Sequence, residues 1–314
     1  MKKVLVAAAI LLAATAAVAK TDALSLIPKD AVTVGVIHIN QIRSSPLSSM
    51  LFEHTDRVSS NGEADRFLTE AGLDPTKDID VVVVATSPRA TLGREADVVV
   101  FADGRFNVDR LTKALVSRGA TQKNDYFLLP ESEKPAAVAF PDARLVIIGT
   151  ESAVAEALAT RASGGSGFAS AGFLGGYLSR LDPNATAWAL VDVARASRLT
   201  GAPHVPHRSD APGAALAAAV RNISTVGVWA TDTGDALKLG AFGLTNDEET
   251  LQLVEDTLRG ALSAMRLAVK DSQPDMVSVL RRFDVQRSND SVRISGSIPA
   301  EALRKMMTKH RAEK

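Results

Sequence analysis

The chain contains no cysteine. Disulfides, thiol catalysis and iron–sulfur clusters are therefore excluded, and a zinc site would need imidazole and carboxylate ligands alone. Aromatic residues make up only 4% of the chain, with two tryptophans and two tyrosines. That scarcity argues against sugar-binding grooves and base-stacking platforms, which use ring faces. Neither sign of charge is in excess, with 36 basic and 36 acidic residues. Nucleic acid is thus an unsuitable partner, because phosphate binding needs a concentrated basic surface. Beyond the first twenty residues, no apolar run is long enough to span a bilayer.

What is present begins at the N-terminus. Lys2 and Lys3 precede an uncharged run from Val4 to Val18, and Ala17-Val18-Ala19 supplies a small-x-small cleavage pattern. This reads as a bacterial secretory signal peptide over residues 1–19, cleaved after Ala19, and it places the protein in the periplasm or outside the cell. A lipidated cysteine is absent, so the mature protein is expected to be soluble and without disulfide staples. Cleavage would remove two of the 36 basic residues, leaving 34 against 36 acidic.

The body of the chain reads as two similar halves. "DVVVVAT" at 80–86 returns as "TVGVWAT" at 225–231. In each case a second strand and then a helix follow. "AVTVGVIHI" (31–39) parallels "ATAWALVDV" (185–193), and "RLVIIGTESAVAEAL" (144–158) parallels "SVRISGSIPAEALRK" (291–305). The offsets are 154, 145 and 147 residues, differences that loops absorb. Asn107 is the expected cap of the first hairpin's helix, and Thr245 with Glu248 has capping-box spacing for the second. Arg118-Gly119 reads as a helix stop, whereas Arg259-Gly260 lies within an apolar stripe that continues past it.

The fold class expected is α+β: two tandem modules of ferredoxin-like strand and helix order, with mostly antiparallel sheets covered by helices. The modules would span 23–160 and 176–310, joined by a Gly/Ser-rich linker at 161–175. Because "VVVVA" is apolar at successive positions, its strand is expected to be covered on both faces.

Few residues point to chemistry. His204 and His207 are the one histidine pair and the weak metal candidates, set in a Pro/Gly-rich loop with Asp210 nearby. His38 lies at a strand position matched by Asp192 in the second half, and both are expected to face water. Asp78 and Asp80 alternate at a strand entry, a solvated arrangement that acid–base chemistry could also use. The G-x-S-x-G elbow, S-x-x-K, H-E-x-x-H, the phosphate loop and the dinucleotide fingerprint are all missing. No cofactor is expected. Three glycosylation sequons, at Asn184, Asn222 and Asn289, are incidental in a bacterial exported protein.

Pro28 to Ala31 (Pro-x-Asp-Ala), Ser45 to Leu47 (Ser-Pro-Leu), the turn from Ala71 to Asp80 and Gly104 to Asn107 together resemble a group of exported bacterial proteins of unknown function. Ala71 stands where threonine is usual and Asn107 where aspartate is usual. The resemblance covers residues 25–150 and implies export. The expected function is therefore a non-enzymatic binding or envelope-associated structural protein, with an envelope or extracellular ligand or protein as partner. The alternative is a hydrolase whose motif-less site lies in the groove between the modules. A weaker possibility is self-association through the alanine-rich stretch 212–220.

Overall fold

The computed structural model describes residues 22–45, 48, 63–89, 96–130, 135–165, 167–200, 223–271 and 273–312. The signal-peptide reading, His204, His207 and the stretch 212–220 lie outside them. The strands are β1 (Thr33–Ile37), β2 (Ile79–Pro88), β3 (Ala96–Gly104), β4 (Thr121–Lys123), β5 (Tyr126–Leu128), β6 (Ala136–Asp142), β7 (Leu145–Thr150), β8 (Ala187–Asp192), β9 (Thr225–Asp232), β10 (Ala236–Leu244), β11 (Asp284–Arg287) and β12 (Ser291–Pro299). The helices are α1 (Ile39–Ser44), α2 (Glu63–Ala71), α3 (Pro75–Asp78), α4 (Val108–Ser117), α5 (Glu151–Ala162), α6 (Phe168–Ala171), α7 (Val193–Thr200), α8 (Glu248–Val269), α9 (Pro274–Leu280) and α10 (Ala300–Ala312).

All the strands join one 12-stranded sheet in the order β11-β12-β10-β9-β8-β1-β2-β3-β7-β6-β5-β4. Each neighbouring pair is antiparallel. The α+β class and the antiparallel, helix-covered sheet agree with the sequence. The ferredoxin-like expectation does not hold in space. Its β-α-β crossover would set parallel strands in the sheet, whereas here every link returns the chain antiparallel to its neighbour.

One face of the sheet carries the main core. Val34 and Val36 of β1, Val83 and Ala85 of β2, Phe101 of β3, Ile147 of β7 and Leu190 of β8 all point into it. The lid over them is formed by the 3-10 turns Asp22–Leu26 and Leu174–Arg180 together with α5 and α6. The Gly/Ser-rich segment 161–175 is part of this layer, with Phe168 and Leu174 fully buried. On the opposite face, α2 and α4 cover β3, β6 and β7, where Leu111, Ala114 and Leu115 meet Ala102, Val138 and Val146. At the other flank α8 covers β11 and β12, where Leu251, Val254 and Leu262 meet Val285 and Val292.

The helix signals are mostly those in the sequence. The Asn107 side chain accepts from the Arg110 N–H and starts α4, and Gly119 at φ 87° ends it. α8 runs through Gly260 to Val269. Its cap, however, is Asp247 rather than Thr245: the Asp247 carboxylate accepts from the Thr250 N–H, while the Thr245 hydroxyl accepts from the Asp247 N–H at 3.3 Å. A carboxylate next to the helix N-terminus outcompetes a hydroxyl two residues earlier.

The quoted strand match does not follow the faces of the sheet. An offset of 145 sets Val83 against Val228, yet Val83 is fully buried and Val228 is 43% exposed. Register shows which positions share a row of the sheet. Gly35 pairs with Val84, with Ala189 and, through it, with Val228, so it is Val84 that lies in one row with Val228. Because side chains alternate with period two, a one-residue slip moves every residue to the other face. In the last block, likewise, Ile148 rather than Ile147 lies in one row with Ile294, beside Val100 and Ala241 respectively.

Two ring-bearing residues constrain the second half of the core. Trp229 and Phe242 pack at a ring separation of 6.3 Å, and the Arg293 guanidinium lies 4.6 Å from the Trp229 ring centre. Gly240 makes room for them, since a Cβ there would lie 2.0 Å from Trp229 Cζ2. Gly240→Ala therefore forces the indole to move and is expected to destabilise the fold by about 1–3 kcal/mol, read as a lower urea midpoint with an unchanged slope.

Candidate functional site

The middle of the second face is not covered by α2, α4 or α8. β2, which is apolar at successive positions, was expected to be covered on both sides; one of its faces is open. Its alternate residues Val81, Val83 and Ala85 are buried, whereas Val84 is 37% exposed. An antiparallel sheet with one solvated face ordinarily alternates apolar and polar residues. Here two adjoining rows of the open face stay apolar.

The register makes this concrete. Crossing the sheet from partner to partner on the open face gives Val285, Ile294, Ala241, Val228, Ala189, Gly35, Val84, Val100, Ile148, Val138 and Phe127. No polar side chain interrupts this row. The next row gives Gly296, Leu239, Ala230, Ala187, Ile37, Val82, Ala102 and Val146, again without a polar side chain. At both ends the rows run under helices. In the middle, Ile37, Val84, Ile148 and Val228 are exposed to about the same degree.

Over β2, β1, β8, β9 and β10 the rows dip into a groove of about 580 Å³. Gly35, Ala187, Ala189, Ala230 and Ala241 form its low floor, and Phe283 and Ile294 close one end. A volume of this size, lined by apolar side chains, falls in the range of small-molecule sites. None of the lining residues is titratable, and none carries a hydroxyl or amide side chain. What the groove can do chemically is take apolar surface out of water, at roughly 25 cal/mol per Å².

Polar groups gather instead at the strand ends. The Arg43 side chain donates from Nε to the Thr76 carbonyl at 2.6 Å and pairs with Asp80 at 3.3 Å. The Ser45 hydroxyl donates to the Asp232 carboxylate. Asp103 lies beside Arg144 at 3.1 Å, yet burial lifts its carboxyl above the ordinary value. Asp97 is the most fully engaged carboxylate, accepting from Arg89, Thr150 and Ser152 at 2.8–3.0 Å. These contacts tie elements together and leave no carboxylate aimed into the groove.

The sequence candidates fall apart as a site. Asp78 closes α3, where its side chain accepts from the Asp74 N–H, while Asp80 belongs to β2 and pairs with Arg43; the two do not act together. Asp192 does not face water. It is buried, with its carboxylate accepting from the Arg195 N–H and Nε, because a strand end that turns into a helix needs a cap. His38 sits at the corresponding turn from β1 into α1 and is half-buried. Among the described residues, no group of three or more His, Cys, Asp or Glu could hold a metal ion, and no helix is long and apolar enough to cross a membrane. A second cleft of about 510 Å³ between α9 and α10 contains Asp275, Glu301 and Lys305, where Lys305 pairs with both carboxylates. The residues of the groove and their apolar character were missed by sequence reading because its floor comes from small residues on four strands brought together only by register.

Burial holds the His38 imidazole below its ordinary value of 6.5. The folded chain therefore takes up this proton later than the unfolded chain does. Stability is complete above pH about 6.5 and falls as the pH drops toward the folded-state value. Between pH 7.5 and 5.5 the urea midpoint of the wild type is expected to fall further than that of His38→Asn.

No family model matches the chain, and no curated protein matches it. Among solved structures it is similar to crystal forms of TP0453: form III at a TM-score of 0.48 and form I at 0.46, each at 10% identity and over 91% of this chain, covering 97% and 96% of the other. Form IV matches at 0.45, also at 10% identity, over 90% of this chain and 95% of that one.

Proposed function

We propose that this is an exported, non-enzymatic binding protein whose ligand is apolar and lies in the groove over the centre of the sheet. One observation carries the reading: two adjoining rows of the open sheet face are apolar across every strand they cross, where water contact would ordinarily select polar side chains. Export rests on the signal-peptide pattern of residues 1–19 and on the resemblance of residues 25–150 to exported bacterial proteins. A periplasmic or secreted protein meets lipids, lipid-linked precursors and other amphiphiles.

The groove also supports a reading of its origin as the seam of two tandem modules. Outward from the β1·β8 pair, the order β1-β2-β3-β7-β6 on one side answers β8-β9-β10-β12-β11 on the other. The 154-residue offset of the first block makes Ala189 the counterpart of Gly35, and these two are register partners. A repeated module that meets its own copy about a two-fold axis pairs equivalent residues at that axis. Both copies would then contribute one half of the floor. The hydrolase alternative assigned to the same groove has no nucleophile, acid or base among the described lining residues to support it.

Val228→Asp places a carboxylate on the floor at a position already 43% exposed, so the fold tolerates it. The wild type is expected to bind an environment-sensitive apolar dye such as anilinonaphthalene sulfonate with saturation. Val228→Asp is expected to weaken that binding tenfold or more, since about 1.4 kcal/mol of lost apolar contact suffices. Val116→Asp, on the exposed face of α4 and away from the groove, should leave it unchanged. Equal dye binding by wild type and Val228→Asp would refute the site.

A further inference from the structure

We infer that the ligand of this groove is a single long unbranched acyl chain, a long-chain fatty acid, laid across the strands from Gly35 to Phe283. The inference rests on the binding reading above and narrows it to one class of molecule. Three features of the groove select that occupant over others.

The first is the shape of its surroundings. The floor is flanked on the same face by α4 against β3 and by α8 against β12, each one packing layer above the sheet. A second copy would bring the same two helices, which would meet before the floors did. Stable protein interfaces are also broad, about 800 Å² on each partner. A groove of about 580 Å³ suits a small molecule instead.

The second is sheet twist. From β2 to β12 the groove crosses five strand spacings, about 24 Å at roughly 4.8 Å each. Neighbouring strands rotate by about 20–25°. A flat ring system touches such a surface over one or two strands. A thin flexible chain keeps contact along the whole row.

The third is the lining chemistry. The small residues Gly35, Ala189, Ala187 and Ala230 make a low track, and Val84 and Val228 stand higher beside it. A Cβ added at Gly35 would find its nearest neighbours at 3.8 and 3.9 Å, so the space above this residue is open. Among the described residues no cation lines the track, so the chain is held by its methylenes and the carboxylate end stays in water.

The test is a titration of the full chain with saturated fatty acids of increasing length, below their micelle-forming concentrations. The readout is the heat of binding in isothermal titration calorimetry, which needs no probe in the groove. Affinity is expected to rise roughly tenfold for each added pair of methylenes, as about 0.8 kcal/mol per buried methylene requires. The rise should stop once the chain outgrows the groove. Hexadecanol and hexadecanoate should bind within about threefold of each other. Gly35→Leu, which fills the track, should cost hexadecanoate at least tenfold while leaving the thermal midpoint at or above the wild-type value. Cholesterol binding without hexadecanoate binding would overturn the acyl-chain inference and leave the apolar-site reading standing. So would binding to phosphatidylcholine vesicles without any response to the monomeric series. A dimer in sedimentation that binds no apolar probe would overturn both.

Discussion

The antiparallel pairing of β1 with β8 governs the rest of the structure. Its register sets Gly35 opposite Ala189 and so sends Val34, Val36 and Leu190 to the filled side of the sheet. A shift of one residue would exchange the two faces of a strand that has neighbours on both sides. The pair also makes the sheet continuous. Without it the strands would form two separate sheets, each with an unpaired apolar edge.

That continuity creates an inequality between the faces. One face is closed along its centre by 3-10 turns and short helices drawn from the segments around residues 22 and 174. On the other, helices reach only the flanks, because α4 and α8 each follow a hairpin and pack back over the strands next to their own. Nothing in that arrangement brings a helix of either flank to the seam. The groove is thus a product of connectivity, and its depth is a product of the glycine and alanines that the seam strands carry. Fixed polar groups at the strand ends, such as the Arg43–Asp80 pair and the hub at Asp97, hold the rim while leaving the floor dry of charge.

Much of the architecture was legible in the sequence. The strands, the α+β class and the Asn107 cap follow from period-two runs and local capping chemistry. So does the passage of α8 through Gly260. What escaped did so for physical reasons. String likeness ignores pairing, so it sets Val83 beside Val228 although the two face opposite sides of the sheet, and it is Val84 that shares the open face with Val228. An apolar run such as that of β2 records that water is disfavoured on both faces without saying what excludes it. Asp192 was assigned to solvent by strand alternation, yet the turn into α7 reclaims it as a cap. The groove was out of reach of any motif, since Gly35, Ala189, Ala230 and Ala241 are brought together only by register.

The β1·β8 pair has a consequence for how the chain reaches its native state. β1 ends at Ile37 and its second neighbour begins at Ala187, so their meeting closes a loop of about 150 residues, among the costliest closures in the molecule. Meanders within either half need only nearby partners. Long-range closures are paid for in time before their contacts return anything. An emerging polypeptide therefore carries β1 with one side vacant until much of the second half has been made. Any factor that shields that vacant side during this interval would raise the yield of native protein.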